Sequence, residues 1–184
     1  MYKAGLHMNR KKGKNYLSFL FLILLFAITA CTQSPEFELY DGKALSIAVV
    51  GKPPEVKEEQ VRFTEISFDE LTSKELESYD AVFITEENLP KAAESKYANT
   101  YLDSIIPFFF ISANSHIPFT VKETEYDGSW KWTPGNNYAV GVLTSLEDEL
   151  LKSWGFGLYN DNKTDEHIKD EYSRIFKTID ELNR

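Results

Sequence analysis

Beyond residue 43 one pattern recurs along the chain: a short uncharged apolar run, then a longer polar stretch with apolar residues at helical spacing. Residues 45–50 (LSIAVV) end at Gly51 and residues 61–66 (VRFTEI) alternate. Residues 81–85 (AVFIT) and 107–112 (PFFFIS) are dense in β-branched and aromatic side chains, so four strands are expected. Runs without alternation imply strands buried on both faces. The expected class is therefore α/β, with a small, mostly parallel sheet and flanking helices. Between the second and third strands, Thr72 and Glu75 have capping-box spacing, and Leu76 with Tyr79 forms an apolar face, which predicts a short helix over 69–79. Ala93, Tyr97, Tyr101 and Ile105 recur every four residues and predict an amphipathic crossover helix over 90–105. Residues 51–60 are short for a parallel crossover, leaving a tight helix or an antiparallel return between the first two strands.

The second half has a different grain. Residues 119–126, the pair Asp127-Gly128 and residues 129–133 predict an inserted β-hairpin at about 119–133, because Asp-Gly suits a type I′ turn. Residues 134–137 turn the chain, and residues 138–144 (YAVGVLT) form a further strand. Ser145 and Asp148 are placed to cap a helix running to about Trp154, with Gly155 stopping it. Ile168, Tyr172, Ile175, Ile179 and Leu182 follow helical spacing, predicting a C-terminal amphipathic helix over 164–182 with its charged residues in solvent. No segment repeats another, so residues 44–184 are read as one domain.

The first 30 residues follow other rules. A basic cluster, Arg10-Lys11-Lys12-Gly13-Lys14, precedes residues 16–28 (YLSFLFLILLFAI), which hold no charge. About thirteen residues at 1.5 Å each span roughly 20 Å, short of the roughly 30 Å hydrocarbon core, and suit a signal h-region. The run ends in Ile28-Thr29-Ala30-Cys31, which resembles the lipobox of bacterial lipoproteins. The resemblance implies diacylglyceryl transfer to the Cys31 thiol and cleavage between Ala30 and Cys31. It thus implies a removed signal peptide over 1–30 and a lipid-anchored protein on the extracytoplasmic face of the cell membrane. A single N-terminal transmembrane anchor with an incidental cysteine is the alternative, and it too leaves the domain outside the cell. Residues 31–43, with Pro35 and Asp41-Gly42, read as a lipidated tether; Phe37, Leu39 and Tyr40 also alternate as a short edge strand would.

Cleavage changes the meaning of the charge. The whole chain carries −9, but residues 1–30 hold five of its twenty basic residues and no acidic one. Fifteen basic against twenty-nine acidic residues then remain, a net −14. That balance argues against nucleic acid as a partner and against electrostatic adsorption to an anionic bilayer, so attachment falls to the lipid. Cys31 is the one cysteine, which excludes an internal disulfide and a thiolate zinc cage.

In open α/β sheets ligands gather at the carboxyl ends of strands. Here those ends are Gly51-Lys52-Pro53-Pro54, Thr85-Glu86-Glu87-Asn88 and residues 112–116, which makes Lys52, Glu86, Asn114 and His116 the candidate ligand site. Each has a plainer reading. The Glu86 region can serve a helix start, His116 can be a solvated loop residue, and Lys52 a soluble turn residue. Residues 160–165 are oxygen-rich but lack the glycine and spaced glutamate of a calcium loop, so no metal or other cofactor is expected. No Gly-x-Ser-x-Gly, His-Glu-x-x-His or Gly-x-Gly-x-x-Gly is present, and no catalytic residue is assigned. Trp130 and Trp132, two apart on the expected hairpin, either cover the core or form an aromatic binding surface for an envelope protein or glycan.

Residues 79–85 (YDAVFIT), 106–111 (IPFFFI) and 157–161 (GLYND) resemble runs in small lipoproteins of Bacillus-type Gram-positive bacteria. Those carry no assigned activity, so the resemblance implies no site residue. Three functions compete: a noncatalytic, membrane-tethered binding or adaptor domain, a tethered hydrolase at the strand ends, and a solute-binding lipoprotein. The hydrolase requires Glu86, Asn114 and His116 to meet within hydrogen-bond reach. The solute-binding protein needs two lobes that the length hardly supplies.

Overall fold

Burial on both faces governs the strands. In a computed structural model, which describes residues 37–182, β1 (Leu45–Val50), β2 (Val61–Glu65), β3 (Ala81–Ile84), β4 (Phe108–Ile111), β5 (Ala139–Thr144) and β6 (Leu151–Phe156) form one six-stranded sheet. Its order is β2-β1-β3-β4-β5-β6. The first four strands are mutually parallel, and β5 and β6 are antiparallel to their neighbours. The protein is therefore α/β with a mixed sheet, mostly but not wholly parallel. The described residues from Glu38 onward belong to one compact unit. The expected signal segment, Ala30 and Cys31 lie outside the described residues. Tyr40, expected in the tether, is buried, with its ring against Phe176.

The run Phe108-Phe109-Phe110 shows how period two builds two cores at once. Phe108 and Phe110 face one side, where Tyr101 meets both edge-on at 5.0 and 5.1 Å and Phe119 stacks on Phe110 at 3.8 Å. Phe109 faces the other, against Phe83 at 5.6 Å and Phe156 at 6.0 Å. Gly141 of β5 lies opposite Phe109, and a Cβ there would approach the ring to 2.6 Å. Each fully buried ring contributes about 2–3 kcal/mol, so the sheet's two faces are the main source of stability.

The first face is covered by single turns: 3₁₀ segments Phe68–Thr72 and Lys74–Ser78, then α1 (Leu89–Ala92), α2 (Ala98–Leu102) and α3 (Ile117–Thr120). The expected continuous helix over 90–105 is broken at Glu94, whose ψ of 129° is extended. Tyr101 compensates by donating its hydroxyl to the Ala92 carbonyl at 2.9 Å, a partner for a group the break sets free. The other face is covered by α4 (Asp165–Leu182), through Tyr172, Ile175, Phe176 and Ile179. Thr164 caps it, accepting from the His167 amide at 3.2 Å. Two acidic residues of α4 are not in solvent as expected: Glu171 is fully buried and Asp180 nearly so.

Two expected elements are replaced. The hairpin at 119–133 does not form. Phe119 is drawn into the core on α3, and the Asp127 carboxylate accepts from the Ser129 amide at 2.7 Å, opening a 3₁₀ turn, Gly128–Trp130. Gly128 does not take the positive φ a type I′ turn requires. Only the isolated bridge between Ala113 and Lys131 pairs this stretch with the sheet. The helix expected over 145–154 is instead a turn followed by β6. The Ser145 amide bonds to the Leu150 carbonyl at 2.9 Å, while Ser145 Oγ and Asp148 Oδ1 accept from the amides of Glu147 and Leu150. The acceptors that can cap a helix here close a hairpin. The link from β1 to β2 is parallel without a helix, since ten extended residues reach roughly 33 Å against the roughly 20 Å length of β1.

Candidate functional site

Strand order reverses at β1: the chain moves outward to β2, then returns across β1 to β3. A crevice is expected beyond the carboxyl ends of β1 and β3, the place where open α/β sheets bind ligands. In this protein the chain's own side chains fill it. Gly51 has φ +115°, and a methyl group there would overlap Thr85 Oγ1. The Thr85 hydroxyl lies 2.7 Å from Glu87 Oε1 and 3.1 Å from the Val50 carbonyl. Asn88 Nδ2 donates to the same carbonyl at 3.3 Å, and the Lys52 amide donates to Glu87 Oε1 at 3.4 Å. This clasp ties the end of β3 to the end of β1. The Thr85 hydroxyl holds the Glu87 carboxyl below its ordinary range, with lesser help from the Lys52 amide.

The four candidate residues are each engaged separately. Lys52 is exposed and takes part through its backbone. Glu86 pairs with Lys163 at 3.6 Å. Asn114 donates from Nδ2 to the carbonyls of Ser129 at 2.7 Å and Lys131 at 3.1 Å, tying down the loop that replaces the expected hairpin. His116 Nδ1 lies 3.1 Å from Thr120 Oγ1, one turn along α3, and burial lowers its pKa. No hydrogen bond among the described residues joins Glu86, Asn114 and His116 to one another.

Lys163 was not singled out in the sequence, where it sits in a polar loop. Its ammonium also lies 5.6 Å from the Trp132 ring centre and 5.3 Å from that of Tyr138, so it bridges the β3 end to an aromatic pair before α4. Trp132 packs against the α4-side core and Tyr138, whereas Trp130 is half-buried and donates its indole N–H to the Glu125 carbonyl at 3.0 Å. Burial pushes the Tyr138 hydroxyl up to about 12, so it stays a neutral hydrogen-bonding group.

Beside the crevice a recess of about 250 Å³ lies between Pro54, Glu55 and the first two turns of α4. A helix start attracts anions, but Asp165 and Glu166 occupy this first turn and Glu55 lines the recess. Further along α4, Glu171 accepts from Arg174 Nη2 at 2.5 Å through Oε2, while its buried Oε1 has no partner. Arg174 also holds Asp170 at 3.0 Å and the Gly157 carbonyl at 2.7 Å. Burial pushes the Glu171 carboxyl up to about 7, outweighing the pull of Arg174 in the other direction. Among the described residues no three His, Cys, Asp or Glu side chains converge as a metal cage. None of their helices is long and apolar enough to cross a membrane. Compared with known proteins, the chain matches no family model, no curated protein and no solved structure.

Proposed function

We propose that this chain is a lipid-anchored extracytoplasmic protein whose domain is a noncatalytic binding or adaptor module of the cell envelope. The anchor rests on the order of basic cluster, short apolar run and Ile28-Thr29-Ala30-Cys31. The noncatalytic reading rests on one observation: the polar side chains at the strand ends are spent on the protein itself, with Thr85, Glu87 and Asn88 closing the crevice. A hydrolase would need its acid, amide and imidazole turned toward a common point.

The surface offered to a partner is the turn between β5 and β6. Leu146 is 81% exposed and Leu150 62% exposed, at the end of the sheet where β1 begins. Among the described large apolar side chains these two are the most exposed, and their place on one turn supports a contact site there.

Two measurements test the proposal. Changing Cys31 to Ala abolishes lipid labelling and releases the protein from the membrane fraction; retention with the label intact defeats the anchor. A pull-down from native envelope recovers partners that are lost when Leu146 and Leu150 are changed to Glu. Partners that survive that change but vanish with Trp130→Ala and Trp132→Ala would move the contact site to the tryptophans.

A further inference from the structure

The sheet ends on one side at β6, and the hydrogen bond from the Ser145 amide to the Leu150 carbonyl sets the phase of its ladder. In an antiparallel pair the bonded positions recur every second residue. Lys152, Trp154 and Phe156 therefore bond back to β5, and Leu151, Ser153 and Gly155 point their amides and carbonyls outward. Among the described residues no strand lies beyond β6. Its residues from Leu151 to Ser153 and Gly155 are exposed.

Open edges are normally blunted by charge, proline or a bulge. β2, at the opposite edge, is five residues long and carries Arg62 and Glu65. β6 is six residues long, has no proline, and bears one charge, Lys152. We propose that β6 is a self-complementary dimer edge, pairing antiparallel with β6 of a second copy about a two-fold axis at Ser153.

The register follows from the residues. Centred on Ser153, the pairing uses every outward amide and carbonyl, giving about six new hydrogen bonds. Leu151 of one copy then lies opposite Gly155 of the other, whose side-chain position is covered by Asn137, so the exposed leucine is set against that amide side chain. On the α4 side Lys152 lies opposite Trp154 of the other copy, so two ammonium–indole contacts form at close, non-hydrogen-bonded positions. A shift by one residue toward the turn would set Lys152 against its own copy. The acidic turn Glu147-Asp148-Glu149 of one copy is brought toward Gly157 of the other, whose carbonyl holds the partly exposed Arg174 guanidinium. The pairing is isologous, closes at two copies, and does not depend on the lipid anchor.

The test uses the full-length protein in detergent, both wild type and Cys31→Ala. Sedimentation velocity gives a concentration-dependent dimer in both. Ser153→Pro removes two bonds at the axis but none to β5, so it raises the dimer dissociation constant by at least about thirtyfold, with circular dichroism and Tm unchanged. In the Cys31→Ala background, where the introduced thiol is the only one, oxidation links Ser153→Cys copies. At the axis the Cα atoms are about 5.5 Å apart, within disulfide range. Lys152→Cys copies, diagonal at about 7–8 Å, stay unlinked. A protein monomeric at every concentration, a dimer indifferent to Ser153→Pro, or linking by Lys152→Cys as fast as by Ser153→Cys overturns the proposal.

Discussion

Replacing Glu171 with Gln should change how stability depends on pH. Glu171 is fully buried on α4, bonded through one oxygen to Arg174 and with the other unpartnered. Its folded pKa is raised from 4.5 to about 7, chiefly by burial. A folded value above the unfolded one means that the native state binds the proton more tightly. Its contribution is fully present below about pH 4.5 and is lost as pH rises toward and through about 7. A shift of about 2.5 units corresponds to about 3 kcal/mol across that window, or roughly 6–12 °C in Tm for a domain of this size.

Glutamine keeps the shape and the acceptor for Arg174 but does not titrate, so the variant's curve lacks this fall. Urea unfolding from about pH 4 to pH 8, followed by tryptophan fluorescence, measures both proteins. The wild-type curve includes opposing groups. His116 has its pKa lowered by burial, and its share of stability is lost as pH falls below its unfolded value near 6.5. The informative quantity is therefore the difference between the two curves. It should move by about 3 kcal/mol in favour of the variant as pH rises. A difference that is flat with pH would show that Arg174 fully offsets the cost of burial, and one that moves in favour of the wild type that the carboxylate is stabilised on balance; either refutes the reasoning.

Gly51→Ala should cost about 2–3 kcal/mol, because it combines φ +115° with overlap on Thr85 Oγ1; an unchanged urea midpoint would refute the clasp between β1 and β3. Tyr101→Phe should cost about 1 kcal/mol by leaving the Ala92 carbonyl without its hydroxyl partner, and Tyr101→Ala about 3–5 kcal/mol through the lost ring; a Tyr101→Phe protein as stable as the wild type would assign the effect to packing alone. Glu87→Gln should flatten the acid limb of stability. The lowered folded pKa gives a contribution present above the unfolded value and lost as pH falls through the folded one, so an acid limb identical to the wild type would contradict the Thr85 bond.

The strands of the first half were legible in the sequence because their own residues decide them. LSIAVV, AVFI and FFFI are apolar at every position or nearly so, and burial on both faces leaves them little alternative to a central strand. The C-terminal helix was equally plain, starting one residue from its expected position with its apolar stripe on the sheet. The turn at 134–137 and the strand at 139–144 follow the sequence, whereas residues 119–133 and 145–154 depart from it because their signals are ambiguous within any short window. Asp127-Gly128 suits a hairpin and equally an Asx-closed 3₁₀ turn, and Phe119, by stacking on Phe110, selects the second. Ser145 and Asp148 suit a helix cap and equally a turn. What selects strand for 151–156 is distant: Phe109 of β4 needs the gap that Gly141 leaves, and Phe156 then closes over that ring.

The candidate site divides in the same way. That Gly51-Lys52 and Thr85-Glu86-Glu87-Asn88 would stand at the carboxyl ends of two strands followed from the apolar runs that precede them. Whether they would face a ligand or one another did not, because it turns on a few ångströms between the Gly51 backbone and the Thr85 hydroxyl. A residue other than glycine at position 51 would push β3's end away and open the crevice; glycine lets the two ends close on each other. The same glycine that looks like the start of a ligand loop in sequence is, in the folded chain, what removes the space for a ligand.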